Sequence, residues 1–115
     1  MIAPKSTNGL SYKSYVAKIT LRDCMAPSAE VIKNDFTGAI SFAYNDVGDF
    51  FINNSMSEFI PGKLAIFEQN IADDGAWNRW AFAVGDPQQI QVWVIGTDNR
   101  GTDLGFCYLE IRAYS

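Results

Sequence analysis

Hydrophobic and polar positions alternate with a period of two along most of this chain, and Gly, Pro, Asn and Asp interrupt the alternation at short intervals. That pattern predicts short β-strands joined by turns. In YKSYVAKITL (12–21), Tyr15, Ala17, Ile19 and Leu21 share one face, while Lys18 and Thr20 take the other; RDCMAP then breaks the run. SAEVIKN (28–34) predicts a second, less apolar strand. GAISFAY (38–44) predicts a third, with Ile40, Phe42 and Tyr44 opposite the small Ala39, Ser41 and Ala43. NDVGD turns the chain into FFINN (50–54), and MSEFIPG reads as a loop with a Pro61-Gly62 turn signal.

KLAIFEQ (63–69) sets Leu64 and Ile66 against Ala65 and Phe67. NIADDGAWN is irregular, RWAFAV (79–84) alternates Trp80, Phe82 and Val84 with Arg79, Ala81 and Ala83, and GDPQQ leads into IQVWVIG (90–96). TDNRGTDLG precedes FCYLEIRAY (106–114), where Cys107, Leu109, Ile111 and Ala113 oppose Tyr108, Glu110, Arg112 and Tyr114. About eight strands and no dependable helical period predict an all-β, single-domain antiparallel β-sandwich or flattened barrel over 12–115, preceded by a polar N-terminal arm at 1–11. The expected core includes Ile19, Phe42, Ile66, Phe82, Val92 and Ile111. Phe67 and Trp93 stand where a sheet with one solvated face would carry polar residues, which predicts a second buried surface against a loop, the arm or another subunit.

Composition narrows the function. The 115 residues are 48% hydrophobic and 14% aromatic, which suits a globular domain, and a net charge of -4 argues against nucleic-acid partners. Without a polybasic cluster, an apolar span or a secretory signal, the expectation is a soluble protein made in the cytoplasm, with no membrane partner. The chain has no histidine, which removes histidine bases, Ser-His and Cys-His nucleophile pairs and imidazole metal sites. Cys24 and Cys107 read as free thiols more readily than as a disulfide, and neither has zinc-ligand spacing.

What chemistry is left is sparse. DNRGTD (98–103) lacks the spacing and closing glutamate of a calcium loop, so Asp98 and Asp103 read as turn residues, as does DDG at 73–75. Glu58, Glu68, Asp73, Asp74 and Glu110 are available for paired-carboxylate hydrolysis, but nothing in the sequence pairs them. Trp77, Trp80 and Trp93, with Phe50, Phe51 and Tyr108, could form a platform for a sugar face; mid-strand Trp80 and Trp93 read better as core or subunit contact. Trp77, in a loop, is the better exposed ring. Glu110 and Arg112, two apart on one face, read as partners for charges on a neighbouring strand or subunit rather than for each other. The chain is expected to be no enzyme and to hold no cofactor or metal.

YKSYVAKIT (12–20), APSAEVIKNDFTGAISFAYNDVGDF (26–50) and the terminal YLEIRAY (108–114) together resemble a group of small proteins from phages and prophage-like regions of Bacteroidetes bacteria. The matching positions are Tyr12, Lys13, Tyr15 and Ala17, then Ala26, Pro27, Ala29 and Val31, then Asn34, Gly38, Gly48 and Phe50, and finally Leu109 to Tyr114. Cys24, Met25, Leu109 and Ala113 depart from the group's pattern. The resemblance implies a non-enzymatic virion component: a capsid decoration, head fibre or tail domain, synthesised in the bacterial cytoplasm and located in the virion. It implies self-association, as a trimer for preference, and contact with other virion proteins. Candidate interface or ligand aromatics are Phe67, Trp77, Trp93, Tyr108 and Tyr114, and candidate interface charges are Glu110 and Arg112. The alternative is a carbohydrate-binding module that takes a host-surface glycan on Trp77 and nearby rings.

Overall fold

The computed structural model describes residues 11–22, 24–70, 79–96, 101 and 105–115. Its strands are β1 (Tyr12–Arg22), β2 (Met25–Asn34), β3 (Ile40–Asp46), β4 (Asp49–Asn54), β5 (Leu64–Asn70), β6 (Arg79–Asp86), β7 (Gln89–Ile95) and β8 (Gly105–Tyr114). They form two four-stranded sheets in the orders β2-β1-β8-β5 and β3-β4-β7-β6, and every neighbouring pair is antiparallel. The fold is therefore a sandwich of two separate sheets rather than a flattened barrel.

The strand phases follow the alternation. Tyr15, Ala17, Ile19 and Leu21 of β1 and Cys107, Leu109 and Ile111 of β8 face Phe50 and Ile52 of β4 and Ile90, Val92 and Val94 of β7, and all are buried. These four strands are central in their sheets, so neighbours cover them on both sides. Inward residues of edge strands are only partly covered: Ile40 and Phe42 on β3, Leu64 and Ile66 on β5, Phe82 and Val84 on β6. Of the expected core, Ile19, Val92 and Ile111 are fully buried, whereas Phe42, Ile66 and Phe82 are half-buried for this reason.

The break expected at RDCMAP is shorter than its composition suggests. β2 already begins at Met25, after a turn in which Cys24 takes a positive φ of 53°. Pro27 is tolerated because β2 is an edge strand and its pairing with β1 shifts between Thr20 and Arg22, next to the proline.

One end of the sandwich is closed by the crossovers between sheets. Phe36 (after β2) and Phe59 (after β4) are both buried, with their rings edge-to-face at 5.6 Å. Glu58 ties these segments together. Its carboxylate accepts hydrogen bonds from the Thr37 and Gly38 backbone N–H groups (3.2 and 2.6 Å), from Asn54 Nδ2 (3.2 Å) and from Lys13 Nζ (3.0 Å). Gly38 has no room for a side chain, since an added Cβ would collide with Asn54 Oδ1 and come within 2.7 Å of the Met56 N. At the start of β1, the Ser11 carbonyl accepts from the Ser115 N–H at 3.2 Å. The preceding arm residues, 1–10, lie outside the described part of the chain.

Candidate functional site

The two sheets present very different outer surfaces. On β2-β1-β8-β5, alternation sends Tyr12, Val16, Lys18, Phe67, Phe106, Tyr108, Glu110, Arg112 and Tyr114 outwards, and register sets them side by side: Val16, Glu110 and Phe67 lie in one row, and Lys18 and Tyr108 in the next. Phe67 and Tyr108 are 48% and 38% exposed, large values for aromatic rings in mid-strand. Tyr114 packs on Tyr12 with ring centroids 5.3 Å apart.

Glu110 and Arg112 are each other's partners, contrary to the expectation from spacing. Arg112 Nε lies 2.8 Å from Glu110 Oε2, and its second nitrogen contact is 3.3 Å from Oε1. Positions two apart on a strand are roughly 6–7 Å apart along the backbone, and the long arginine spans that gap because rings on both sides hold it down. Its guanidinium carbon sits 4.8 Å from the Tyr12 ring centroid and 4.7 Å from that of Phe67. Hydrogen bonds to Glu110 and then to Tyr114 push the guanidinium pKa further up, so Arg112 stays charged. Beyond it, Lys18 Nζ lies 4.8 Å over the Phe106 ring.

The outer face of β3-β4-β7-β6 carries rings among amides. Trp93 and Phe51 point outwards and are half-buried, with Trp93 registered between Asp49 on β4 and Ala81 on β6. Asp49 accepts from Gln91 Nε2 at 3.1 and 3.3 Å and from Asn45 Nδ2 at 2.8 Å, and Gln89 Nε2 donates to Asn53 Oδ1 at 3.3 Å. The rings weighed as one sugar platform are thus dispersed. Trp80 and Phe50 meet edge-to-face in the core at 5.9 Å, Tyr108 belongs to the other sheet, and Trp77 lies outside the described residues.

A groove of about 500 Å³ opens at the plugged end, lined by Tyr12, Lys13, Glu58, Ile60 and Tyr114 among others. Its charged groups already serve the fold. Burial alone would raise the Glu58 pKa, but the hydrogen bonds from Gly38, Lys13, Thr37 and Asn54 together hold it below the ordinary carboxylate value. No sequence motif marks this network; the only hint is an acid amid the loop Met56–Gly62.

Of the acids considered for hydrolysis, Glu58 is committed to the crossover and Glu110 to Arg112, while Asp73 and Asp74 lie outside the described residues, as do Asp98 and Asp103. Among the described residues no group of three or more Cys, Asp or Glu could hold a metal ion, and no helix is long and apolar enough to cross a membrane. Of the cysteines, Cys24 is exposed, and Cys107 is buried with its thiol pKa pushed up to about 12, by burial first and then by Glu68. Comparison with protein-family models, curated proteins and solved structures finds no match to this chain.

Proposed function

We propose that this protein is a non-enzymatic structural component of a bacteriophage particle, a capsid decoration, head fibre or tail domain, that packs against copies of itself through the outer face of β2-β1-β8-β5. The observation that carries the self-association is the row of rings on that face, with Phe67 and Tyr108 exposed and Glu110, registered with Phe67, paired with Arg112. Protein interfaces favour aromatic residues and arginine at their centre and exclude unpaired charge. A pair that is bidentate and ring-stacked within one subunit can be covered with little further desolvation of unpaired groups. Exposed Ile32 on the neighbouring edge strand β2 adds a further apolar side chain to this face. The virion setting rests on the resemblance of 12–20, 26–50 and 108–114 to phage proteins. A trimer is the assembly we favour, with other virion proteins as further partners.

Light scattering across a concentration series tests the assembly. The wild-type protein should be oligomeric, and the double variant Phe67→Asp/Tyr108→Asp should be monomeric with an unchanged circular dichroism spectrum. A wild-type monomer at high concentration overturns the self-association. Mass spectrometry of purified particles from a host carrying the gene tests the setting, which is lost if the protein is missing from them.

A further inference from the structure

We propose that the opposite outer face, on β3-β4-β7-β6, binds a neutral glycan. A sugar ring offers an apolar C–H face to an aromatic plane and a rim of hydroxyls that both donate and accept, so its site needs a ring beside amides and a carboxylate. β7 supplies this sequence of groups on one side of the strand: Gln89, Gln91, then Trp93, two positions apart and so roughly 6–7 Å from one to the next. β4 lines up Asn53, Phe51 and Asp49 opposite them in register.

Three features favour a sugar over a protein partner here. On the other sheet cations sit over three of the rings, Arg112 over Tyr12 and Phe67 and Lys18 over Phe106, whereas among the described residues no ring or cation stacks on Trp93 or Phe51. The Asp49 carboxylate is held in one orientation by Gln91 and Asn45, yet a carboxylate has about four lone-pair sites, so it can accept from hydroxyls as well. Beside Trp93 and Gln91, β6 places the small, exposed Ala81 and Ala83, with Gly85 following and Arg79 further along opposite Ile95, so these β7 side chains stand above a low step. A depression of about 240 Å³ lies along that step, lined by Ala83, Gly85, Asp86, Gln89 and Gln91, and a Cβ added to Gly85 would meet nothing within 4 Å. The step gives the sugar an edge to lean against, and the amides address its hydroxyls.

This site uses none of the residues of the proposed assembly face, so the two readings can fail separately. The test is a glycan array of neutral oligosaccharides probed with the full chain, followed by titration of the best-binding oligosaccharide. Binding should weaken at least about tenfold in Trp93→Ala, the loss of one ring-stacking contact of roughly 1.4 kcal/mol. Ala83→Tyr, which fills the depression on an exposed position, should weaken it comparably while the fold, checked by circular dichroism, is kept. Phe67→Asp/Tyr108→Asp should bind as the wild type does. The proposal is overturned if no neutral glycan binds, if binding survives both Trp93→Ala and Ala83→Tyr, or if those variants change the oligomeric state instead, which would make this face a contact between copies.

Discussion

At the scale of single residues, Glu58 joins more of the structure than any pattern in the sequence announces. Its carboxylate receives two backbone N–H groups of the β2–β3 crossover, the Asn54 amide and the Lys13 ammonium. Replacing it with glutamine keeps the shape but removes the charge. Glu58→Gln should therefore cost about 1–3 kcal/mol at neutral pH, as for hydrogen bonds to a charged group. Its pKa is lowered in the folded state, so the contribution is fully present above the unfolded value of 4.5 and is lost as pH falls through the folded value. Thermal melts of wild type and Glu58→Gln should differ at pH 7 and converge on acidification below pH 4.5. A gap that persists at pH 2 would show that the charge is not what holds the loop. Glycine at position 38 belongs to the same junction, and Gly38→Ala should destabilise it because the new methyl meets the Met56 backbone nitrogen.

At the scale of elements, the place of a strand in its sheet decides what its inward residues are worth. Phe50 on central β4 is 1% exposed, whereas Phe82 on edge strand β6 is only half-buried. Phe50→Ala should cost about 3–5 kcal/mol, and Phe82→Ala only about 1–2 kcal/mol, in proportion to the area it removes from water. Equal losses by urea denaturation would mean that β6 is covered in solution by something further. The phases of β1, β7 and β8 were legible because alternation with one buried face leaves little choice of register. Which strand sits at the centre was not legible, since β1 pairs with β8 from the far end of the chain and nothing local encodes that partner. Phe36 and Phe59 carry no sequence signal for another reason: they plug the core from crossovers, where no period exists to mark a residue as inward. The outer face of β2-β1-β8-β5 was half visible. Phe67, Tyr108 and Tyr114 stood out as rings on an outward phase, but the clasp of Arg112 between Tyr12 and Phe67 needs three strands to be in register.

At the scale of the whole molecule, the two faces of the sandwich divide the work proposed for it: one carries stacked cations and rings for contact between copies, the other rings and amides for a glycan. The same division shows in what each edit should leave intact. Deleting residues 1–10 should leave a folded sandwich, because the ladder between β1 and β8 starts at Tyr12 and Ser11 closes it with Ser115. We propose that the polar arm, too hydrophilic to join the core, engages the particle in the virion setting, so that the shortened protein should no longer attach. Unfolding midpoints of the deletion variant within a degree or two of wild type, together with failed attachment, are the expected pair of results; attachment by the shortened form would remove the arm from the account.

The central place of β8 also has a consequence for synthesis. β1 and β2 leave the ribosome before the other six strands, as a hairpin, yet the free edge of β1 is paired only by β8, which begins at Gly105, well after β1 ends at Arg22. At about 5–20 residues per second, that edge stays open for roughly 4–17 s on every chain being made. β5 emerges in that interval with no partner of its own, because it too pairs only with β8. During those seconds, neighbouring nascent chains on one message carry the same pair of unsatisfied strand edges. Crowded translation is therefore the step at which this fold is most exposed to mispairing, and slowing initiation should raise its soluble yield more than lowering the temperature after synthesis.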